Sequence, residues 1–392
     1  MASIFFMAVP SGQALYRSDL ESVRVVDSLA AVDAQEWNAL AGAQPFVRHE
    51  FLSALIDTGC ASRRTGWRPC ILLLRRAGAL AGAMPLFAKT HSYGEYVFDW
   101  AWAEAHERHG IDYYPKLVCA VPFTPVRGPR LLAARAADKE ILLRAALELA
   151  RGASSVHVLF ARDEDARALG EAGLMLRRTV QFHWTNAGYA DFDDFLARLS
   201  HARRKTIRQE RRRVREAGVT FRWREGAAIG RRDWELFNRC YRATYAAHHS
   251  TPYLSLEFFL RVGAALPDNV ALLLAERAGR PIAAALFFRD AHALYGRYWG
   301  ALEYLPLLHF ECCYYQAIEY AIAHRLAVFE GGAQGEHKLF RGLLPVETLS
   351  AHWLAHPGFA RAVESFLERE GAGIARYVDE LAEHSPFRET SS

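Results

Sequence analysis

Two stretches of this chain repeat one pattern. ILLLRRAGALAGAMPLF (Ile71–Phe87) and ALLLAERAGRPIAAALFF (Ala271–Phe288) each read as a strand, a glycine turn and a second strand with small residues in its middle. Their turns, Ala77–Gly78 and Ala278–Gly279, lie 201 positions apart. After the first, a helical pattern over Lys139–Arg151 leads into the strand SVHVLF (Ser155–Phe160). After the second, ECCYYQAIEYAIAHR (Glu311–Arg325) leads into LAVFE (Leu326–Glu330). Each half then closes on a strand carrying His-Trp, QFHW at Gln181–Trp184 and SAHW at Ser350–Trp353. Three matches in one order predict a duplicated domain of mixed strands and helices, an α/β fold with mixed sheets. A length of 392 residues, too great for one ordinary core, points the same way.

The sequence divides accordingly. Residues 1–20 read as a tail or a mis-called start, since MASIFFMAVP lacks a basic leader region and its apolar run is short. Residues 21–188 form the first domain, 189–218 a basic connecting helix, and 219–392 the second domain with a closing helix at Phe359–His384. No run approaches the roughly 20 apolar residues of a membrane span. The six cysteines form no CxxC pair, which fits a reducing cytoplasm and argues against a disulfide framework or zinc ribbon.

Charge is concentrated. Between Arg198 and Arg215 stand nine Lys or Arg and one acid, Glu210, while the whole chain carries only +4. Asp191 is a fitting N-cap for this helical stretch and Gly218 a fitting stop. Arg204, Arg208, Arg211 or Arg212, and Arg215 recur at helical spacing, where like charges repel by about 0.2–0.5 kcal/mol a pair. A solvated charged face is the plain reading; with few acids to offset the repulsion, an anion-binding face is the functional one.

The chemistry-bearing candidates lie mostly in the second half. EGGAQGEHKLFRG (Glu330–Gly342) puts Gly331, Gly332 and Gly335 among Glu336, His337 and Lys338 directly after a strand. Glycines there let backbone N–H groups approach a ligand and cradle an anion. The spacing is neither GxGxxG nor that of a mononucleotide P-loop. His309 and Glu311 stand at the start of a helix, where a carboxylate also simply complements the helix dipole. YGRYWG (Tyr295–Gly300) sets Arg297 among aromatics, as a carboxylate or phosphate clamp or as a cation–π element. Tyr253, in STPYL, is a further substrate contact. In the first half, HSYGEYVFDWAWAEAHERH, dense in aromatics and acids, offers Tyr93, Glu95, Asp99 and Trp102 as a binding wall, with Lys116 and Arg130 able to meet a carboxylate or phosphate. His106 and Glu107 miss the HExxH spacing by one residue, so no metal is expected. No GxSxG is present, and adjacent Cys312 and Cys313 read as small apolar residues, not nucleophiles.

The order HSYGEYVFDWAW, YYPKL, PFTPVRGPR, RRKTIRQERR, STPYL, YGRYWG, LHFECCYYQ and EGGAQGEHK resembles the FemAB-like proteins of the GNAT superfamily, over roughly Val23 to Arg388. The resemblance implies two tandem GNAT-like acyl-CoA N-acyltransferase domains and transfer of an acyl or aminoacyl group to an amine. In Fem relatives the donor is an aminoacyl-tRNA and the acceptor a peptidoglycan precursor; in ordinary GNAT enzymes the donor is acyl-coenzyme A. No tightly bound cofactor is implied. Two features depart from the pattern: the basic helix is short and single, and neither half carries Arg/Gln-x-x-Gly-x-Gly/Ala. On this reading Glu311, Glu336 or His309 takes a proton from the acceptor amine, and Lys338 or the glycine-turn N–H groups stabilise the tetrahedral oxyanion. The Fem pattern has a Phe-Lys pair after its glycine turn, to which His337–Lys338 and Phe340–Arg341 are the nearest matches. The rival expectation is a non-catalytic GNAT-like module that binds RNA or an anionic surface through its basic helix.

Overall fold

The computed structural model describes residues 14–17, 21–332 and 335–388. The expected tail lies largely outside the described residues, but Ala14–Arg17 within it is a strand, β1, paired antiparallel with β2 (Glu21–Val26). The chain divides into two compact units. One holds the chain up to Thr179 together with Thr348–Ile374; the other holds Val180–Glu347 and the residues from Ala375 onward.

The first unit contains an antiparallel sheet in the order β1-β2-β4-β5-β8, where β4 is Ile71–Arg76, β5 Ala79–Met84 and β8 Leu132–Ala133. A second set of strands follows the order β16-β9-β7-β6-β3. Its members are β3 (Trp67–Pro69), β6 (Leu86–Lys89), β7 (Lys116–Cys119), β9 (Ser155–Ala161) and the last part of β16 (Leu344–Leu354). Helices α1 (Trp100–Arg108) and α2 (Ala136–Leu149) pack on them. Val23, Leu72, Leu74, Met84, Leu142, Val156 and Val158 form the main core, as alternating strand residues facing α2 should.

The second unit has the strand order β11-β12-β13-β14-β15-β10. The strands are the last part of β10 (Met175–Thr185), from Val180 on, and β11 (Val219–Glu225), β12 (Val270–Arg277), β13 (Arg280–Arg289), β14 (Ala293–Ala301) and β15 (Val328–Glu330). The helices are the basic α3 (His201–Glu216), α4 (Arg231–Ala247) and α5 (Gln316–Ala323), the last preceded by a π-helical turn, Glu311–Tyr315. The core gathers Trp184, Phe195, Ile207, Val214, Leu273, Phe287 and Phe329.

The duplication extends to backbone detail. Ala77 and Gly78, and equally Ala278 and Gly279, all have positive φ, the signature of a type I′ hairpin. Each hairpin shifts register at the matching place, between Leu74 and Arg75 and between Ala275 and Glu276.

The domain limits differ from the sequence reading. QFHW, expected to close the first domain, lies in the second unit, where His183 and Trp184 pair with Glu330 and Phe329 of β15. SAHW, expected to close the second, lies in the first unit, where His352 and Trp353 pair with His157 and Val156 of β9. The two closing strands are exchanged between the halves of the sequence, and their near-identical patterns hide this. The basic helix is no connector either: Ile207 and Val214 seat it in the second unit's core.

Candidate functional site

In the second unit β14 and β15 run parallel, joined by the crossover through α5, and pair only over Ala293–Tyr295 with Val328–Glu330. β15 ends at Glu330, while β14 continues to Ala301. The carboxyl ends of parallel strands are where open α/β sheets take ligands. On the β14 side the register skips between Leu286 and Phe287: Tyr298 opposes one and Gly296 the other, so Arg297 is a bulge residue. Bulges re-aim side chains beside active sites. Arg297 lies 5.2 Å from the Tyr298 ring.

On the β15 side come Gly331 and Gly332. Gly332 has φ +88, and a Cβ there would stand 3.9 Å from the Lys338 ammonium. A Cβ on Gly331 would meet Leu343 at 2.5 Å. Gly331 thus makes room for Leu343, and the Lys338 side chain runs beside these glycines, where Nζ donates to the Gly332 carbonyl at 2.8 Å. Lys338 belongs to a 3-10 turn, Glu336–Arg341, and is buried. Burial brings its pKa down to about 8, opposed only by the nearby Cys313.

Aromatic rings line the same place. His309 lies 5.5 Å from Trp299 and 5.5 Å from Tyr314, and 6.4 Å from His337. Tyr314 OH is 2.9 Å from His337 Nε2. Burial, then the charges of His337, Arg341 and Lys338, press His309 down to about 4, so it is neutral at pH 7. Arg341 stacks 3.5 Å from the Phe310 ring.

The three expected proton acceptors have different settings. Glu311 is buried in the π turn; Oε1 accepts from Arg211 at 3.1 Å and Gln316 at 2.9 Å, and Oε2 has no hydrogen-bond partner among the described residues. π turns recur at functional sites. Glu336 is exposed and accepts from Tyr377 at 2.7 Å, so it is turned toward the C-terminal helix, Pro357–Glu383. His309 alone stands in the ring of aromatics close enough to feel the Lys338 charge. Tyr253 packs instead against Tyr245, with ring centroids 5.9 Å apart.

The basic helix has two faces. Arg204, Lys205, Arg208, Arg212 and Arg215 line a shallow groove of about 560 Å³ together with His201. Arg208 and Arg212 have only exposed acids, Asp193 at 3.1 Å and Glu216 at 3.5 Å, which hold them weakly. Arg211, expected on this face, is on the other: Ile207, Arg211 and Val214 are one, two and three steps along a single helical stripe, and the two apolar members are in the core. It binds Glu311 and Glu319 instead, the latter at 2.7 Å.

The first unit's candidates form a closed cluster. Lys116 Nζ donates to Glu95 Oε2 and Ser92 Oγ, both at 2.8 Å, and to Asp99. Tyr113 OH donates to Asp99 at 2.6 Å and lies 3.3 Å from His157, whose Nδ1 is 2.7 Å from His352 Nδ1. Burial raises Glu95 to about 7 despite Lys116. Burial works on Asp99 too, but Lys116 overrides it and keeps that carboxyl low. Lys116 is thus paired inside the protein and is no surface clamp. Arg130 is fully buried and donates to the carbonyls of Leu159, Pro129 and Val126 at 2.8, 3.0 and 2.6 Å, which makes it a staple between backbone segments. Trp102 is buried beside His352, 5.0 Å between ring centroids. Tyr93, at 58% exposure, is the one accessible member of the expected wall. Among the described residues no three His, Cys, Asp or Glu gather to hold a metal, and no helix is long and apolar enough to cross a membrane.

Sequence reasoning missed Glu210, Tyr314, Tyr315 and Arg341. The signal for Glu210 was present: it is the only acid in the basic run.

This architecture, with one hairpin repeated in each unit, is that of two GNAT-like domains. The chain belongs to the FemAB-like family, described as peptidoglycan biosynthesis/recognition, which it matches over residues 28–389. Among solved structures it is similar to FemX, at 12% identity over 85% of this chain and 98% of that one, with a TM-score of 0.54. It is similar too to the C-terminal domain of a putative lysylphosphatidylglycerol synthetase from Agrobacterium fabrum, at 11% identity over 85% and 95% of the two chains and a TM-score of 0.52. A third is L-PGS from Bacillus licheniformis, at 10% identity over 86% and 97% and a TM-score of 0.51. Comparison with curated protein sequences finds no significant match.

Proposed function

We propose that the protein is an N-acyltransferase that moves an aminoacyl group from an ester donor to an amine acceptor in cell-envelope metabolism. The observation that carries this is Lys338, a buried cation held 2.8 Å from the Gly332 carbonyl just past the carboxyl end of β15. A carbonyl entering there meets a charged donor in a poorly hydrated setting, where such donors do most for a developing oxyanion. The acceptor amine attacks the donor's carbonyl carbon and forms the C–N bond. The C–O bond to the donor breaks as the tetrahedral intermediate collapses, and the departing alkoxide takes up, through water, the proton that leaves the nitrogen. His309, neutral at pH 7, receives the ammonium proton of the intermediate and passes it to water; its low pKa prevents it from keeping that proton. Glu311, tied to Arg211, anchors the wall.

The outer face of α3 supports a donor with a phosphate backbone. Its arginines recur one helical turn apart in an open groove without apolar residues. This favours aminoacyl-tRNA over acyl-coenzyme A; the family's description and the neighbour whose name includes lysylphosphatidylglycerol support an aminoacyl group and the cell envelope. A peptide-like amine of a cell-wall precursor fits as acceptor.

Thermal-shift titration with a charged-tRNA mixture, coenzyme A and acetyl-coenzyme A tests the donor. Charged tRNA at 100 times its dissociation constant should add about 2.7 kcal/mol and raise the Tm by several degrees. A rise with coenzyme A alone would put a thioester in place of the tRNA ester. RNA retention that collapses with salt, without transfer from any donor, would replace the enzyme by a binding module.

A further inference from the structure

We infer that Glu210, on the inward face of α3, is a positioning residue for Lys338. The inference rests on the reading of Lys338 as the group that meets the reacting carbonyl. Glu210 joins two segments of the site. Both its carboxylate oxygens accept from Arg341 Nη2, each at 3.1 Å, and Oε2 also accepts from Tyr315 OH. Arg341 closes the 3-10 turn that carries Lys338, and Tyr315 ends the π turn that begins with Glu311.

The geometry makes Glu210 hard to replace. Arg341 is buried, stacked on Phe310, and donates from Nη1 to the His337 carbonyl at 2.8 Å. Its Nε has no partner among the described residues, so Glu210 is the carboxylate that holds this guanidinium. A buried cation that loses its counter-charge either moves or draws in water. Either response opens the turn around Lys338. Next to Glu210, Arg211 ties the same helix to Glu311 and Glu319, so two consecutive residues of α3 fasten both sides of the site. A single acid among nine cations, facing inward, is thereby accounted for.

Lys338 itself reports the outcome. The groups around it are the Gly332 carbonyl, Cys313 of the π turn, His309 and His337 of the aromatic wall, and Arg341 of its own turn. Desolvation keeps its amine well below the ordinary range, so water entering the turn moves its titration upward.

The experiment is pH-dependent acylation of the purified full chain by acetic anhydride, with the Lys338 peptide quantified by mass spectrometry. It needs neither donor nor acceptor, so it reads the positioning even in a protein that transfers nothing. The wild type should show a midpoint near 8. Glu210→Ala and Arg341→Lys should each raise it by about one unit or more, toward the ordinary lysine value near 10.4. Glu210→Gln, which keeps an acceptor for Arg341, should move it less than half as far. Circular dichroism establishes that each variant is folded; if Glu210→Ala is not, Arg341→Lys decides, since it keeps the charge but loses the forked grip. Midpoints unmoved in folded variants would overturn the inference, as would a wild-type midpoint near 10. Where transfer is measurable, the same variants should lower kcat with KM little changed; transfer lost with the labelling midpoints fixed would overturn the positioning role while leaving the transferase reading in place.

Discussion

Lys338 is the residue on which the transferase reading depends. Removal of one oxyanion donor typically lowers turnover by about 10² to 10³-fold. Lys338→Ala should show a loss of that order, with little change in Tm, because the buried ammonium's desolvation cost disappears with it. Arginine should not rescue it, since a broad planar guanidinium does not fit where a buried ammonium sits. Since Lys338 must be protonated to donate, transfer should decline as pH rises through about 8. A pH–rate profile with no descending limb between 7 and 9 would remove Lys338 from the reaction. The residues Glu311, His309, His337 and Lys338 were legible in the sequence because polar groups cluster in EGGAQGEHK and LHFECCYYQ. Their orientation was not. Glu336 is two positions from Lys338, yet a 3-10 turn sends it to Tyr377. Residue type also misled in the first half, where Lys116 and Arg130 read as able to meet a carboxylate or phosphate: Lys116 is paired with Glu95 and Asp99, and Arg130 is bound to backbone carbonyls.

At the scale of elements, the two hairpins were legible because local chemistry determines them: a type I′ turn at Ala-Gly between two apolar strands. The bulge at Arg297 and the three-residue pairing of β14 with β15 were not, since both depend on partners distant in sequence. YGRYWG drew attention for its arginine, but its last glycine is a packing residue. A Cβ on Gly300 would stand 1.9 Å from the Cys240 carbonyl oxygen, where β14 lies against α4. Backbone cannot retreat as a flexible side chain can, so Gly300→Ala should destabilise the protein by about 1–3 kcal/mol. Urea unfolding checks this; an unchanged midpoint would mean that α4 shifts away from the strand at little cost. Gly279→Ala is the control, with positive φ but open space around it, and should lose only about 1 kcal/mol.

Across the molecule as a whole, the duplication was legible and the path of the chain was not. QFHW and SAHW are interchangeable by pattern, so nothing local indicates which sheet each joins. One consequence is that His157 and His352 meet, 195 residues apart in sequence, inside the first unit. Burial, with Lys116 nearby, holds His157 down to about 3, and burial together with His157 holds His352 far below its ordinary value. Both are neutral when folded and take up a proton on unfolding below pH 6.5, so stability falls with the pH in that range. Glu95 acts oppositely: raised to about 7, it is protonated when folded and ionised when unfolded between pH 4.5 and 7, so it adds stability as the pH falls through that window. One histidine is offset and one remains. The cluster should therefore contribute a loss of about 1.4 kcal/mol per pH unit between 6 and 4.5. His157→Asn removes one of the two and should flatten the stability profile by that amount relative to wild type, as read from urea midpoints at half-unit steps. Parallel profiles would mean that His157 is charged when folded, and that the buried lysine–carboxylate cluster holds one more positive charge than its hydrogen bonds indicate.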